Sequence, residues 1–259
     1  MTDGADHPGI DLVSRASTSA LLAQRLASIA RGALSLLLPP SCPACGRGVE
    51  GPPLPCRSCD AALRLLWNEA RRLEPPEPIS PFLYAGVVKD LVRRMKYRGD
   101  RAAAGFLGEM MAARLRAIRI EPGQGFLVPV PLHPTRLRER GFNQAERLAR
   151  IVGRRAGLPL FPGLIRRVRW TGSQTVLDTE KRRAAVASAF RPGKTLARRT
   201  VPRGSAILVD DVWTTGATAQ ACRGALEAAG CVPPILVLTA ARAELARESG
   251  SDSPSLPGD

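Results

Sequence analysis

Two sets of residues in this sequence have the types and spacing to do chemistry. The first is the pair Asp210 and Asp211, which follows the apolar run Ile207-Leu208-Val209 and precedes Val212-Trp213-Thr214-Thr215-Gly216-Ala217-Thr218. The apolar run predicts a central strand over residues 206–209, with the acids where that strand ends and a helix over about 218–229. Ligands of open parallel sheets bind at the carboxyl ends of strands, and a helix start offers unpaired N–H groups to phosphate. Thr214, Thr215 and Thr218 add hydroxyl donors, while Gly216 lets a ligand approach the backbone closely. Two carboxylates repel phosphate but suit vicinal hydroxyls. The stretch therefore predicts a sugar-phosphate site, with the acids on the sugar and residues 214–218, Ala217 among them, on the phosphate. Because the acids also repel each other, neutralising both is expected to leave the fold intact. The kinase-type GxxxxGK[ST] loop and the GxGxxG fingerprint are absent.

The second set is Cys42, Cys45, Cys56 and Cys59, a CxxC-x10-CxxC arrangement. Each CxxC turn can present two thiolates to one tetrahedral ion, with Gly46 easing the turn after the second sulfur. Four thiolates fill the coordination sphere, so the predicted zinc is structural. Cys222 and Cys231 lie far away; Cys222 shares a helical face with Ala225, Leu226 and Ala229 and reads as a small core residue.

Elements must position these groups, and the composition says what they are made of. The chain has 259 residues, one or two domains' worth at roughly 150 per domain. At 44% hydrophobic and 24% charged it can bury a core, which excludes a wholly disordered or collagen-like chain, and six cysteines are too few for a disulfide scaffold. Aromatics are 4%, so the core rests on Ala, Leu, Val and Ile. The net charge of +15 points to a polyanionic partner, although with only four lysines the arginine excess also fits codon bias. Residues 1–16 read as a disordered leader and 17–70 as an amphipathic helix (20–37) plus the four-cysteine module. Residues 72–81 carry four prolines and read as a linker, and residues 245–259 as a disordered tail. Between them, residues 82–244 alternate short apolar strands (82–88, 125–130, 206–209, 235–239) with helices (89–97, 102–118, 143–156, 218–229). That is an α/β pattern with a parallel sheet covered on both faces. No uncharged run reaches the ~18 to 20 residues of a membrane span, and no secretory signal is evident, so a cytoplasmic protein is expected.

The acid pair with its Thr/Gly turn resembles the signature of type I phosphoribosyltransferases, which bind phosphoribosyl diphosphate (PRPP). That resemblance implies Asp210 and Asp211 on the ribose hydroxyls and residues 214–218 on the 5′-phosphate. Further blocks, Val128-Pro129-Val130-Pro131-Leu132-His133-Pro134, Arg140-Gly141-Phe142-Asn143-Gln144 and Lys96-Tyr97-Arg98-Gly99-Asp100, together with Gln174, Arg182-Arg183 and the four cysteines, resemble the competence protein F (ComF) family. The resemblance covers residues 30–240 and implies a zinc-ribbon-like module before a phosphoribosyltransferase-type domain. It also implies an association with natural transformation and single-stranded DNA.

Placed at the sheet mouth, the turn after Val130 puts His133, Arg136, Arg138 and Arg140 where a diphosphate needs charge-assisted bonds. Asn143 is placed to cap the next helix. Residues 169–183, including Gln174 and Arg182, read as a lid or as a surface hairpin. Two functions fit. One is an enzyme that binds Mg²⁺-PRPP and transfers its phosphoribosyl group. The other is a non-catalytic factor of DNA uptake that retains the PRPP-type loop and binds single-stranded DNA and uptake proteins, with Trp67, Trp170 and Trp213 as candidate stacking residues. In 6-oxopurine phosphoribosyltransferases an acid stands where Thr214 stands here, so hypoxanthine, guanine and xanthine are not expected acceptors. The cysteine spacing sets a first outcome: elemental analysis of protein purified without chelator should give one zinc per chain, and metal-free protein would refute it.

Overall fold

The structure is a computed structural model that describes residues 41–49, 55–72, 78–118, 124–170, 188–193 and 201–243. The leader, helix 20–37, Gln174, Arg182 and the tail lie outside the described residues. The chain divides into two units, residues 1–42 with 47–54 and residues 43–46 with 55–259. In the first, Ser41 and Gly48 pair antiparallel, and the Cys42 amide donates to the Arg47 carbonyl at 2.7 Å.

The second unit is α/β. Its elements are α1 (Arg57–Arg72), β1 (Phe82–Leu83), α2 (Gly86–Arg98), α3 (Arg101–Ala117), β2 (Gly125–Pro129), α4 (Pro134–Arg140), α5 (Gln144–Ala156), β3 (Ile165–Arg167), β4 (Phe190–Pro192), β5 (Ser205–Trp213), α6 (Ala217–Glu227) and β6 (Leu236–Arg242). Four strands form one sheet in the order β1-β6-β5-β2, every pair parallel. An antiparallel β3–β4 pair lies apart from it. Continuous apolar sequence explains the central position of β5: Ala206 to Val209 are all buried, as strands covered on both faces must be.

The predicted elements that fall on described residues occur, α1, α4, β3 and β4 add to them, and two differences have a physical origin. The expected strand 82–88 pairs over only two residues, because at Gly86 (φ +43°) the chain turns into α2. And β5 runs four residues beyond its apolar core, to Trp213, so the acid pair lies inside the strand rather than at its end. Pairing with β6 carries it on, with Val212 opposite Ala241 and Trp213 opposite Arg242.

Alternation along β5 sends Leu208 towards α6, where it joins Phe126, Val128, Cys222 and Leu226 in one buried cluster. On the other face, α5 buries Ala145, Leu148, Ala149 and Val152, a spacing of three and four that makes one stripe. Asn143 caps α5 as expected: its Oδ1 accepts the Ala145 amide at 3.0 Å while its Nδ2 donates to the Val130 carbonyl. Helices α3 and α5 approach closely at Gly108, where a Cβ would stand 2.7 Å from Ile151 Cγ2. Gly108→Val should therefore wedge the two helices apart and cost about 1–3 kcal/mol, read as a lowered urea midpoint.

Candidate functional site

Strand β2 ends at Pro129, opposite Val209, so from Asp210 onward β5 keeps only its β6 neighbour. The acids emerge at that step. Because successive strand residues point to opposite faces, they do not form one negative surface. Asp210 faces α6 and lines a cavity of about 30 Å³ with Thr214, Gly216 and Thr218. Asp211 is 4% exposed, and its Oδ2 lies 2.7 Å from Lys96 Nζ of α2. Asp210 Oδ1 in turn accepts the Asp211 amide at 2.8 Å. The structure thus brings Asp210 together with the turn at residues 214–218 and sets Asp211 against a lysine.

Electrostatics differ accordingly. Burial pushes the Asp210 carboxyl up to about 6, against the opposing pull of Lys96 and of Arg167 from β3. Burial lowers the Lys96 ammonium; Asp210 draws it back up and Arg140 adds to the lowering. The Cys222 thiol is raised well above its usual value by burial and by Asp210, so it stays a neutral core group. Lys96 and Arg167 are the residues that residue-by-residue sequence reading missed. Lys96 stood only inside the Lys96-Tyr97-Arg98-Gly99-Asp100 resemblance, and Arg167 had no signal at all.

The turn itself is built as its residue types require. Gly216 is in the left-handed region (φ +78°), and a Cβ there would stand 2.6 Å from Trp213 Cζ2. Only glycine fits beneath that ring. Thr215 Oγ1 accepts the Ala217 amide at 3.5 Å, and the side chains of Thr214 and Thr215 are exposed.

Across the mouth lies the basic turn. His133 Nδ1 accepts the Thr135 amide at 3.3 Å and so caps α4, with its ring 5.3 Å from that of Trp170. Arg136 lies 5.0 Å over Trp170 and pairs with Glu139 at 3.2 Å; Arg140 donates to Gln144 Oε1 at 2.5 Å and lies 5.7 Å over Tyr97. Arg138 is exposed. Lys96, Arg98, Arg136 and Arg140 line one groove of about 350 Å³ with Tyr97 and Phe142.

The cysteines converge. The metal-binding atoms of Cys42, Cys45, Cys56 and Cys59 all lie within 4.8 Å of one another. Cys45 and Cys56 sulfurs are 3.7 Å apart, close to the edge of about 3.8 Å of a tetrahedron with Zn–S bonds of about 2.3 Å. Cys56 precedes the first turn of α1, and the Ser58 hydroxyl at 3.4 Å, followed by the Cys59 amide, lowers its thiol to about 6. The donor set fits a structural zinc with no open position.

No protein-family model matches the chain. It is 27% identical to competence protein F of Haemophilus influenzae over 199 residues, 73% of this chain and 84% of that protein. The chain is thus similar to proteins named competence protein F. It is also 29% identical to competence protein ComFC of Bacillus subtilis over 180 residues (68% and 67% of the two chains) and 29% identical to DNA utilization protein YhgH of Salmonella typhimurium over 184 residues (68% and 73%). Among the described residues, no helix is long and apolar enough to cross a membrane.

The geometry corrects the expectation that the acids only repel each other: Asp211 has its own cation, while Asp210 carries the burial cost. Single substitutions should therefore act in opposite directions. Ionised Asp210, near 6 in the fold against about 3.9 unfolded, costs about 3 kcal/mol at pH 8 and about 0.5 at pH 4. The penalty fades as pH falls through the raised value. Asp210→Asn should raise the urea midpoint at pH 8 and hardly change it at pH 4, whereas Asp211→Asn strands Lys96 and should lower it at pH 8 by about 1–3 kcal/mol.

Proposed function

We propose that the protein binds PRPP, or another ribose phosphate, with Mg²⁺ at the mouth of β5, as a factor of competence or DNA use in the cytoplasm. The observation that carries this reading is the single cavity shared by Asp210 and the turn at the start of α6. Asp210 and Asp211 take the ribose hydroxyls, Lys96 yielding part of its hold on Asp211 as the ligand enters. The amides and hydroxyls of residues 214–218 take the 5′-phosphate. His133, Arg136 and Arg140 face the diphosphate, with Lys96 beside them, and Gln174 and Arg182 belong to the segment that closes over it.

Where transfer follows, the C1′–O bond breaks and its electron pair leaves with the diphosphate, which Arg136, Arg140 and Lys96 would neutralise and to which bound magnesium would add charge. The lone pair of an amine or base forms the new bond to C1′. Such a reaction needs positioning and charge neutralisation rather than a covalent nucleophile. Thr214 has no proton to exchange near neutral pH, so 6-oxopurines lack acid–base help at this position.

A second reading, single-stranded DNA bound with uptake proteins, is favoured by a different observation. Tyr97 is 73% exposed and stands between the groove just described and a second cleft of about 590 Å³, which shares Tyr97 and Arg98 and adds Arg93 and Arg94. An aromatic face amid arginines suits bases and backbone together. The three tryptophans serve this less well. Trp67 packs edge-on to Phe82 at 5.8 Å and Trp213 covers Gly216, which leaves Trp170, 42% exposed under Arg136.

Calorimetric titration with Mg²⁺-PRPP should show binding that the Asp210→Asn/Asp211→Asn double variant loses; unchanged affinity in that variant would refute the site. No nucleotide should form from PRPP with hypoxanthine, guanine or xanthine. Oligonucleotide affinity should fall steeply between low and physiological salt, and Tyr97→Ala should weaken it at both.

A further inference from the structure

The Arg94 side chain joins the metal-binding turn to the corner from which Lys96 reaches the acid pair. Its Nη1 donates to the Ala44 carbonyl at 2.7 Å, inside the first CxxC turn. Its Nε and Nη2 donate to Asp100 Oδ2 at 2.9 and 2.5 Å. Asp100 in turn caps α3, with Oδ1 accepting the Ala103 amide at 3.0 Å, and these bonds outweigh the burial that would raise its carboxyl, holding it below the usual range. The Arg94 carbonyl also accepts the amide of Gly99, the left-handed residue (φ +64°) that ends α2. Arg94 therefore closes the corner 96–100 from both its backbone and its side chain.

Lys96 leaves that corner toward Asp211 at 2.7 Å. From the far side, Arg147 donates to the Gly99 carbonyl at 2.8 Å, with its guanidinium 3.9 Å over the Phe142 ring. The corner is thus braced by α5 permanently and by the cysteine turn only while Ala44 is held in place. The Cys42 amide on the Arg47 carbonyl closes the base of the Cys-Pro-Ala-Cys turn, and the metal on its two sulfurs would fix the rest, because such sites form together with their ion.

We propose that Arg94 is a positioning residue through which zinc occupancy sets the place of Lys96 on the acid pair, and with it the affinity for the phosphoribosyl ligand. The affinity clause rests on the reading of β5 as a ribose-phosphate site; the positioning clause does not. With zinc bound, Ala44 presents its carbonyl, the guanidinium fork is filled at both ends, and the corner is rigid. With zinc removed, the fork keeps only Asp100, and the corner gains freedom that Lys96 transmits to Asp211. A planar fork suits this task, since one rigid group spans two acceptors.

The test uses the full chain, zinc-loaded and chelator-stripped, as wild type and as Arg94→Ala. Hydrogen exchange at the amides of residues 96–104 reports the corner without any ligand, and exchange at 207–209 in β5 reports whether the sheet remains folded. Stripping zinc from wild type should speed exchange at 96–104 about tenfold or more while 207–209 stay protected, and should weaken Mg²⁺-PRPP binding by about the same factor. Arg94→Ala should exchange fast at the corner with zinc present and respond no further to its removal. A corner indifferent to zinc in wild type, an equal response in Arg94→Ala, or loss of protection across 207–209 on stripping would overturn the proposal. Zinc-dependent exchange in a protein that does not bind PRPP even when zinc-loaded would uphold the positioning role and refute the ribose-phosphate reading.

Discussion

Where β2 stops, the chemistry starts. Up to Val209 strand β5 is paired on both sides and buried on both faces; from Asp210 it keeps β6 alone. That half-paired stretch is the only kind of place in a parallel sheet where carboxylates can stand next to a hydrophobic core and still meet a ligand. The pairing with β6 fixes the backbone of both acids, so neither can swing freely to relieve its burial. Everything else at the mouth follows from compensating charges that the backbone will not move. Lys96 comes from one face and Arg167 from the other, and the burial that remains uncompensated shows as the raised Asp210 carboxyl.

The same constraint explains the basic turn. Two carboxylates at one strand end call for cations nearby, and on the proposed reading those cations must also favour an anionic ligand without simply neutralising the acids. Helix α4 does this with Arg136 and Arg140, each parked on a local partner: Glu139 for the first and Gln144 for the second, with Trp170 and Tyr97 beneath them. The Arg136 contacts are weak, because an exposed ion pair and a cation–π contact contribute little in water. Arg136 can therefore turn to a phosphate at small cost, whereas Arg140, held by the buried Gln144, and Lys96, tied to a buried carboxylate, move less readily.

How much of this was legible in the sequence depends on range. Patterns local to one element read correctly: the α5 stripe, the Asn143 cap and the apolar core of β5. The four cysteines also read correctly, since two CxxC turns and one ion leave few arrangements. What failed was whatever depends on partners distant in the chain. The extension of β5 to Trp213 is set by β6, and no property of Asp210 or Asp211 announces it. Opposite facing of the acids follows from that extension. Arg167 is one arginine in a run of similar ones, and only the fold selects it. His133 also accepts the Thr135 amide at its Nδ1 to cap α4, a use that the following proline and threonine hinted at.

The block Lys96-Tyr97-Arg98-Gly99-Asp100 shows why a short stretch can carry so much of a family resemblance. Lys96 holds Asp211, and Tyr97 stands exposed beneath Arg140. Arg98 lines both basic clefts. Gly99 takes the left-handed conformation that ends α2, a conformation strained for any side chain, and Asp100 begins α3 while receiving Arg94. A helix ends and another begins within two residues, so the block has no spare position to absorb a substitution. A lysine one residue later would leave the strand face of α2, and a longer turn would release the Arg94 fork. The site therefore depends on a tight helix–helix corner as much as on the acids themselves, and that corner is where the metal-binding turn, the sheet and the basic groove are all within one side chain's reach.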